Sequence, residues 1–330
     1  MFGGFEFICK TTTLPTCSLV GPFGSETVPF LTTGVLPQCY SRTIDLANTT
    51  IFAVGTCFIH IGALLVLTLI IFNILPKITA MGRSEILHFI AFYLLLTLVS
   101  LVIDSGVTPP GSPAFPYMVS VQNGLTSTVC SCVMFVGLVA FNLYEDGTPR
   151  AIWILRISCL AAFALSFVFS LLTYRDMVPN VFSTTSTLAL FVVLYLLNAV
   201  FLIVYVITQL ITSLVILRDK WSVGAIVLEC FFFVAGQVLL YAFSNLICNQ
   251  VKHYIDGGFF ATVCNLFAVM MVYKYWDMVT REDLEFSVSN VDNSWDIKEI
   301  LDDDRYDGNS EYAASTYALN HGFYDGQEPR

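Results

Sequence analysis

Glu229 is the first place to look for chemistry in this chain. It stands inside an apolar run, VLECFFFVAGQVLLYAF, where a carboxylate is costly and by default functional. Acid–base catalysis would need a second carboxylate or a base at the same depth, and no neighbouring run carries one. A structural role is therefore expected for Glu229, either as a protonated group hydrogen-bonded to the amides of the preceding run or as a side chain that reaches the headgroups. His60, His88, His253 and His321 fall in different segments. None forms the His-x-x-x-His pair that sets two metal ligands on one helix face. The chain contains no Gly-x-Ser-x-Gly elbow, P-loop or dinucleotide fingerprint, and no basic patch for a nucleic acid. These residues point to a protein that is not an enzyme and takes no metal or cofactor.

Ten cysteines fall into two sets. Cys57, Cys130, Cys132, Cys159, Cys230 and Cys264 lie within apolar runs, where cysteine acts as a small apolar residue. Cys9, Cys17 and Cys39 precede the first run and Cys248 ends the sixth, all on one side of the apolar layer. On an oxidising face these four are candidates for disulfides, in any of three pairings. The segment that holds three of them is too small for a core of its own, so at least one bridge is expected. It contains no Cys-x-x-Cys pair and no histidine, which argues against zinc.

The elements that must position these residues are seven apolar runs: Ile51–Leu75, Ile86–Ile103, Met118–Leu143, Ile152–Thr173, Leu188–Leu217, Val223–Ile247 and Phe259–Trp276. Each is near or above the roughly 20 residues a helix needs to cross a bilayer. With 56% hydrophobic and 12% charged residues, the chain reads as an all-α membrane protein, a seven-transmembrane helix bundle. Residues 1–48 form a leader, 49–276 the helix domain and 277–330 a tail. The tail holds 14 of the 25 acidic and 4 of the 15 basic residues, which accounts for the whole net charge of −10 and leaves the rest neutral. So polar a segment cannot bury much apolar surface and is expected to be disordered. Eight cations (Lys77, Arg83, Arg150, Arg156, Arg218, Lys220, Lys274 and Arg281) lie on the tail side, against Lys10, Arg42, Arg175 and Lys252 on the other. The positive-inside rule then puts the N-terminus in the lumen and the C-terminus in the cytosol. The sequon Asn48-Thr49-Thr50 abuts the first span and is expected to go unused.

Small and polar residues recur at helical spacing. Ser158, Ala162, Ser166 and Ser170 mark a close-approach face in the fourth run, as do Gly55 and Gly62 in the first and Gly257 and Ala261 in the last. Asn198, Tyr205, Gln209 and Thr212 fall within about 60° of one face of the fifth helix at 100° per residue. Glu229, Gly236, Gln237 and Ser244 form a stripe on the sixth. Asn198, Gln209, Glu229 and Gln237 are the candidate contacts, within the bundle or with a partner's spans. Asp104, Asp146 and Asp256 stand at span ends, where carboxylates cap helices and turns. The four prolines of DSGVTPPGSPAFP rule out a helix there.

Several segments together resemble the fungal chitin synthase export chaperone family. They are GVLPQCYSRTIDLANTTIF, MGRSE, DSGVTPPGS, FNLYEDGT, FFFVAGQVLLYAFS and VKHYIDGGFFATVCNLFAVMMVYKYWDMVTREDLEFSV, with ICKTTTLPTC more loosely. They cover residues 5–290 in order. The resemblance implies a multi-pass protein of the endoplasmic reticulum membrane. It would bind the polytopic chitin synthase catalytic subunit and promote its folding and export, supporting cell-wall chitin synthesis. It also permits travel with that client to the plasma membrane. Asp283-Leu284-Glu285 has the acidic-x-acidic form of an export signal read by vesicle-coat adaptors. Membrane lipids are the remaining partner. The alternatives are a seven-transmembrane receptor or a transporter of small molecules or lipids. The joint of about four residues around Arg218–Trp221 and the lack of Asn-Pro-x-x-Tyr in the last span speak against a receptor.

Overall fold

In hydrocarbon every backbone polar group must be satisfied within its own segment, and seven stretches do this as helices. A computed structural model describes residues 4–21, 34–35, 37–46, 49–141, 148–177 and 182–303, the stretch 281–303 by its backbone alone. The spanning helices are α1 (Val54–Ile74), α2 (Arg83–Asp104), α3 (Phe115–Leu138), α4 (Pro149–Tyr174), α5 (Leu188–Leu217), α6 (Lys220–Tyr241) and α7 (Gly257–Asp303, apolar over Gly257–Thr280). All seven are long and apolar enough to cross a membrane. The chain divides into residues 1–278, which hold the bundle, and residues 279–330.

Their ends follow from local sequence. Pro149 opens α4, and the Thr148 hydroxyl accepts the Ala151 N–H. Asp219 caps α6, accepting from the N–H groups of Trp221 and Ser222 and from the Ser222 hydroxyl. These donors hold its carboxyl below the usual carboxylate range, the Ser222 hydroxyl foremost. In α5, π-helical turns at Val192–Leu197 and Thr212–Leu217 flank an α-helical middle, Asn198–Ile211.

The third helix is the centre. It packs on α2, α4 and α5, and 61% of its apolar window is buried, against 17–33% in the other six spans. One core cluster joins Leu67 and Ile74 of α1, Ile86 and Ile90 of α2, Cys132 of α3, Leu155 of α4 and Tyr205 of α5. A second lies toward the leader, where Phe5, Cys9, Cys17 and Val20 pack on Ile103, Phe115, Val119, Tyr174 and Leu190. Among the described residues the leader has no core apart from the one it shares with the bundle. Its short helix, Glu6–Thr11, and its 3₁₀ turn, Pro15–Ser18, are packed onto the bundle. A two-stranded hairpin, Ile44–Leu46 with Thr49–Ile51, leads into α1.

Of the three possible cysteine pairings the structure has one, Cys9–Cys17 and Cys39–Cys248. The six span cysteines are free. The first bridge closes the leader's own turn. The second ties the leader to the joint between α6 and α7, where the Arg42 N–H also donates to the His253 carbonyl and the Arg42 guanidinium lies over the Tyr254 ring.

Two expectations need correction. The sixth run does not continue to Ile247. Helix α6 stops at Tyr241, the N–H groups of Ala242 and Phe243 both turn back to the Val238 carbonyl, and a separate helix runs Ser244–Gln250. Ser244 thus leaves the α6 stripe and accepts the Gly257 N–H instead. Gly62 is not at a helix contact, since a Cβ there would meet nothing within 4 Å. The backbone of α7 continues to Asp303 through a stretch with no glycine or proline to break it. Asn48 and Asp146 lie outside the described residues.

Two outcomes follow from this packing. A Cβ at Gly124 would fall 2.8 Å from the Phe163 ring, so Gly124→Val should destabilise the bundle by about 1–3 kcal/mol. Gly62→Ala should leave it unchanged, both read by thermal unfolding in detergent. Cys39→Ser should cost on the order of 2–4 kcal/mol, and Cys39→Ser/Cys248→Ser should cost no more, because the second change removes nothing further.

Candidate functional site

The bundle's polar side chains fall along two interfaces. The first surrounds α3. Gln122 donates to Ser100 of α2 (2.9 Å), and Asn123 donates to Ser170 (3.2 Å) and Tyr174 (2.8 Å) of α4. Ser127 accepts from Ser166 (2.5 Å), Thr128 donates to the Cys159 carbonyl (3.5 Å), and Ser131 meets Ser158 (3.2 Å). The small-residue face of α4 therefore packs on α3, and its hydroxyls satisfy that helix turn by turn. Tyr174 carries the network into the leader by donating to Thr16.

The second interface lies between α5, α6 and α7. Tyr241 donates to Tyr195 (3.0 Å) near the leader end of α5. Two to three turns on, Tyr205 donates to Glu229 (3.0 Å), both buried. Nearer the tail, Ser213 meets Tyr275 (3.1 Å). Tyr205 fits because α3 presents Gly137 to it, where a Cβ would lie 3.0 Å from the tyrosine ring. Helices α6 and α7 approach closely at Gly236, where a Cβ would meet Cys264 at 2.9 Å and the Ala261 carbonyl at 3.5 Å.

Of the four candidate contact residues, one has a hydrogen bond across this interface. Glu229 pairs with the tyrosine of α5 and not with its amides. Asn198 is 6% exposed and donates to the Leu194 carbonyl of its own helix. Gln209 is buried and Gln237 half-buried. Asp283 and Glu285 lie on the backbone of α7. Of the capping carboxylates, Asp256 accepts the Phe259 N–H and a hydrogen bond from Thr13. Asp104 instead meets His60 of α1 at 3.0 Å. Sequence reasoning passed over the α3 residues, this His60–Asp104 pair and Asn265. The lower apolarity of the third and seventh runs was the available signal.

At the tail end of the bundle Asp277 is buried and accepts from Lys77, with Lys274 3.6 Å away. Trp276 donates to the Met81 carbonyl (2.8 Å), and Lys77 lies over its ring. Among the described residues, one group has three side chains able to hold a metal, Cys39, Cys248 and His253. Its two sulfurs are joined to each other, and a disulfide is no thiolate ligand. Elsewhere the ionisable groups pair across helix interfaces instead of converging on one point, which suits helix association more than bond-breaking chemistry.

The Glu229–Tyr205 pair gives a direct test. Glu229→Gln keeps an acceptor for the tyrosine and should be near wild type in thermal unfolding. Glu229→Leu orphans a buried hydroxyl and should cost about 1–3 kcal/mol. Tyr205→Phe/Glu229→Leu should recover most of that loss.

Comparison with known proteins agrees with this geometry. The family model described as chitin synthase export chaperone matches residues 1–290. A chitin synthase export chaperone of Aspergillus oryzae is 52% identical over 322 residues, covering 96% of each chain. Those of Gibberella zeae (54% identical, 91% of this chain and 88% of the relative) and Yarrowia lipolytica (52%, 97% and 98%) are similar over almost as much or more. No solved structure matches the chain. The family is one of chaperones and not of enzymes, and this seven-helix membrane protein belongs to the chitin synthase export chaperone family.

Proposed function

We propose that the protein is an escort of the endoplasmic reticulum membrane that binds a polytopic chitin synthase and promotes its folding and export to the cell surface. The observation that carries this reading is the match over residues 1–290 to proteins named for that role. The bundle supports it. Its polar side chains form interhelical hydrogen bonds, the kind of contact by which one membrane protein recognises another. An escort needs no reaction. It stabilises one assembly state of its client by binding that state more tightly than the others.

In this reading the leader and its two disulfides face the lumen, and α7 leaves the membrane into the cytosol. Asn198, Gln209, Glu229 and Gln237 act at contacts with the client or beneath them. Asp283 and Glu285, on a helical segment, offer coat adaptors a signal for exit. Membrane lipids cover the remaining apolar faces, such as the stripe of Leu196, Val200, Ile203 and Ile207 on α5.

Deleting the gene in its fungal host, with a fluorescent chitin synthase and an assay of wall chitin, tests the reading. The synthase should stay in the reticulum and wall chitin should fall, while other polytopic cargo travels normally. A synthase that reaches the surface and makes normal chitin would overturn it.

A further inference from the structure

One depth of the α5–α6–α7 interface differs from the rest. The Tyr195–Tyr241 and Tyr205–Glu229 hydrogen bonds fix the register of α5 against α6. Because the two helices are antiparallel, one turn inward from Tyr195–Tyr241 brings Asn198 and Gln237 to the same level. Asn265 of α7 joins them, since a Cβ at Gly236 would lie 3.5 Å from its Oδ1. Three carboxamides thus share one depth, with paired hydroxyls on the leader side and the Tyr205–Glu229 pair on the tail side.

These amides are not satisfied by one another. Asn198 gives its Nδ2 to the Leu194 carbonyl, which fixes the amide's orientation, and its buried Oδ1 has no partner. The buried Oδ1 of Asn265 has none either. Gln237 makes no side-chain hydrogen bond among the described residues. It is half-buried, flanked on α6 by the outward-facing Val234 and Val238, while Asn198 is the most enclosed of the three. Two unsatisfied acceptors, both buried, beside the half-exposed amide of Gln237 call for a ligand that brings donors. Acyl chains carry none at this depth, and lipid headgroups lie at the membrane's faces. A hydroxyl or carboxamide side chain on another transmembrane helix does bring one.

We propose that Asn198, Gln237 and Asn265 form the recognition point for a transmembrane helix of the client, one that presents a Ser, Thr, Asn or Gln in the leader-side half of the membrane. The inference rests on the escort reading and names the chemistry by which the client is bound. The escort then favours clients whose polar helix faces are still uncovered, because an assembled client has already used its donors internally.

The test uses the full-length protein and its chitin synthase, co-expressed in the fungal host. A photo-crosslinking residue at Gln237 should capture a transmembrane segment of the synthase. Asn198→Leu/Asn265→Leu and Gln237→Leu should each reduce recovery of the synthase by roughly three- to ten-fold, the range for losing one or two interhelical hydrogen bonds. Removing an acceptor that has no partner should leave the thermal stability of the purified escort equal to or above wild type. Gln237, half-exposed, tests the idea even where the buried double variant does not fold. Variants that recover the synthase at wild-type levels would overturn the proposal, as would crosslinks to lipid alone or a loss of recovery matched by a loss of stability. In those cases the escort reading stands as long as the wild-type protein recovers the synthase. A wild-type protein that recovers none would sink the escort reading itself.

Discussion

A helix that carries Gln122, Asn123, Ser127, Thr128 and Ser131 is tolerated in hydrocarbon only if other helices surround it, and α3 imposes that constraint on the whole bundle. Leaving these groups facing lipid would cost several kcal/mol for each unsatisfied polar group. Helices α2, α4 and α5 enclose α3, and α2 and α4 return hydrogen bonds to it. The small side chains of α4 follow from this. Ser158, Ala162, Ser166 and Ser170 let its backbone come close enough for hydroxyl to meet hydroxyl, and Gly124 admits Phe163 in the same interface.

With three helices committed to the centre, α6 is left at the edge. It is held to α5 by Tyr241 and Glu229, and to α7 where Gly236 removes the bulk between them. The π turns at both ends of α5 insert extra backbone where the Tyr195 and Ser213 contacts are made, re-aiming the faces that flank its regular middle. The result is a bundle with a firm core around α3 and a more lightly held edge at α6. Such an edge suits a protein whose partner is another set of membrane helices.

Much of this was legible in the primary structure because hydrocarbon imposes so few solutions. Seven apolar runs, most of them without a central charge, had to be helices, and the serine spacing of the fourth run marked its packed face. The four cysteines outside the runs marked the covalent ties, although spacing alone could not choose among their pairings. The break after Tyr241 was not legible. Tyr241-Ala242-Phe243-Ser244 contains no glycine or proline, and the helix stops there because Ser244 and Cys248 make contacts with residues far away in sequence. Nor was the partner of Glu229. Its choice of Tyr205 over the amides depends on the register of two antiparallel helices, which helical periodicity within either one does not specify. Asn265 was passed over because a lone amide in an apolar run shows no pattern until the helix beside it is known.

The Cys39–Cys248 bridge spans 209 residues, and this has a consequence for biosynthesis. Cys39 is made long before its partner. At about 5–20 residues per second, translation reaches Cys248 on the order of 10–40 s later. Until then Cys39 lacks its partner, while all of α1 to α6 is made. Closing the bridge therefore reports that α1 to α6 have been inserted in order. The protein carries in its own chain a covalent record of its first six spans, written only once the chain has passed the end of α6.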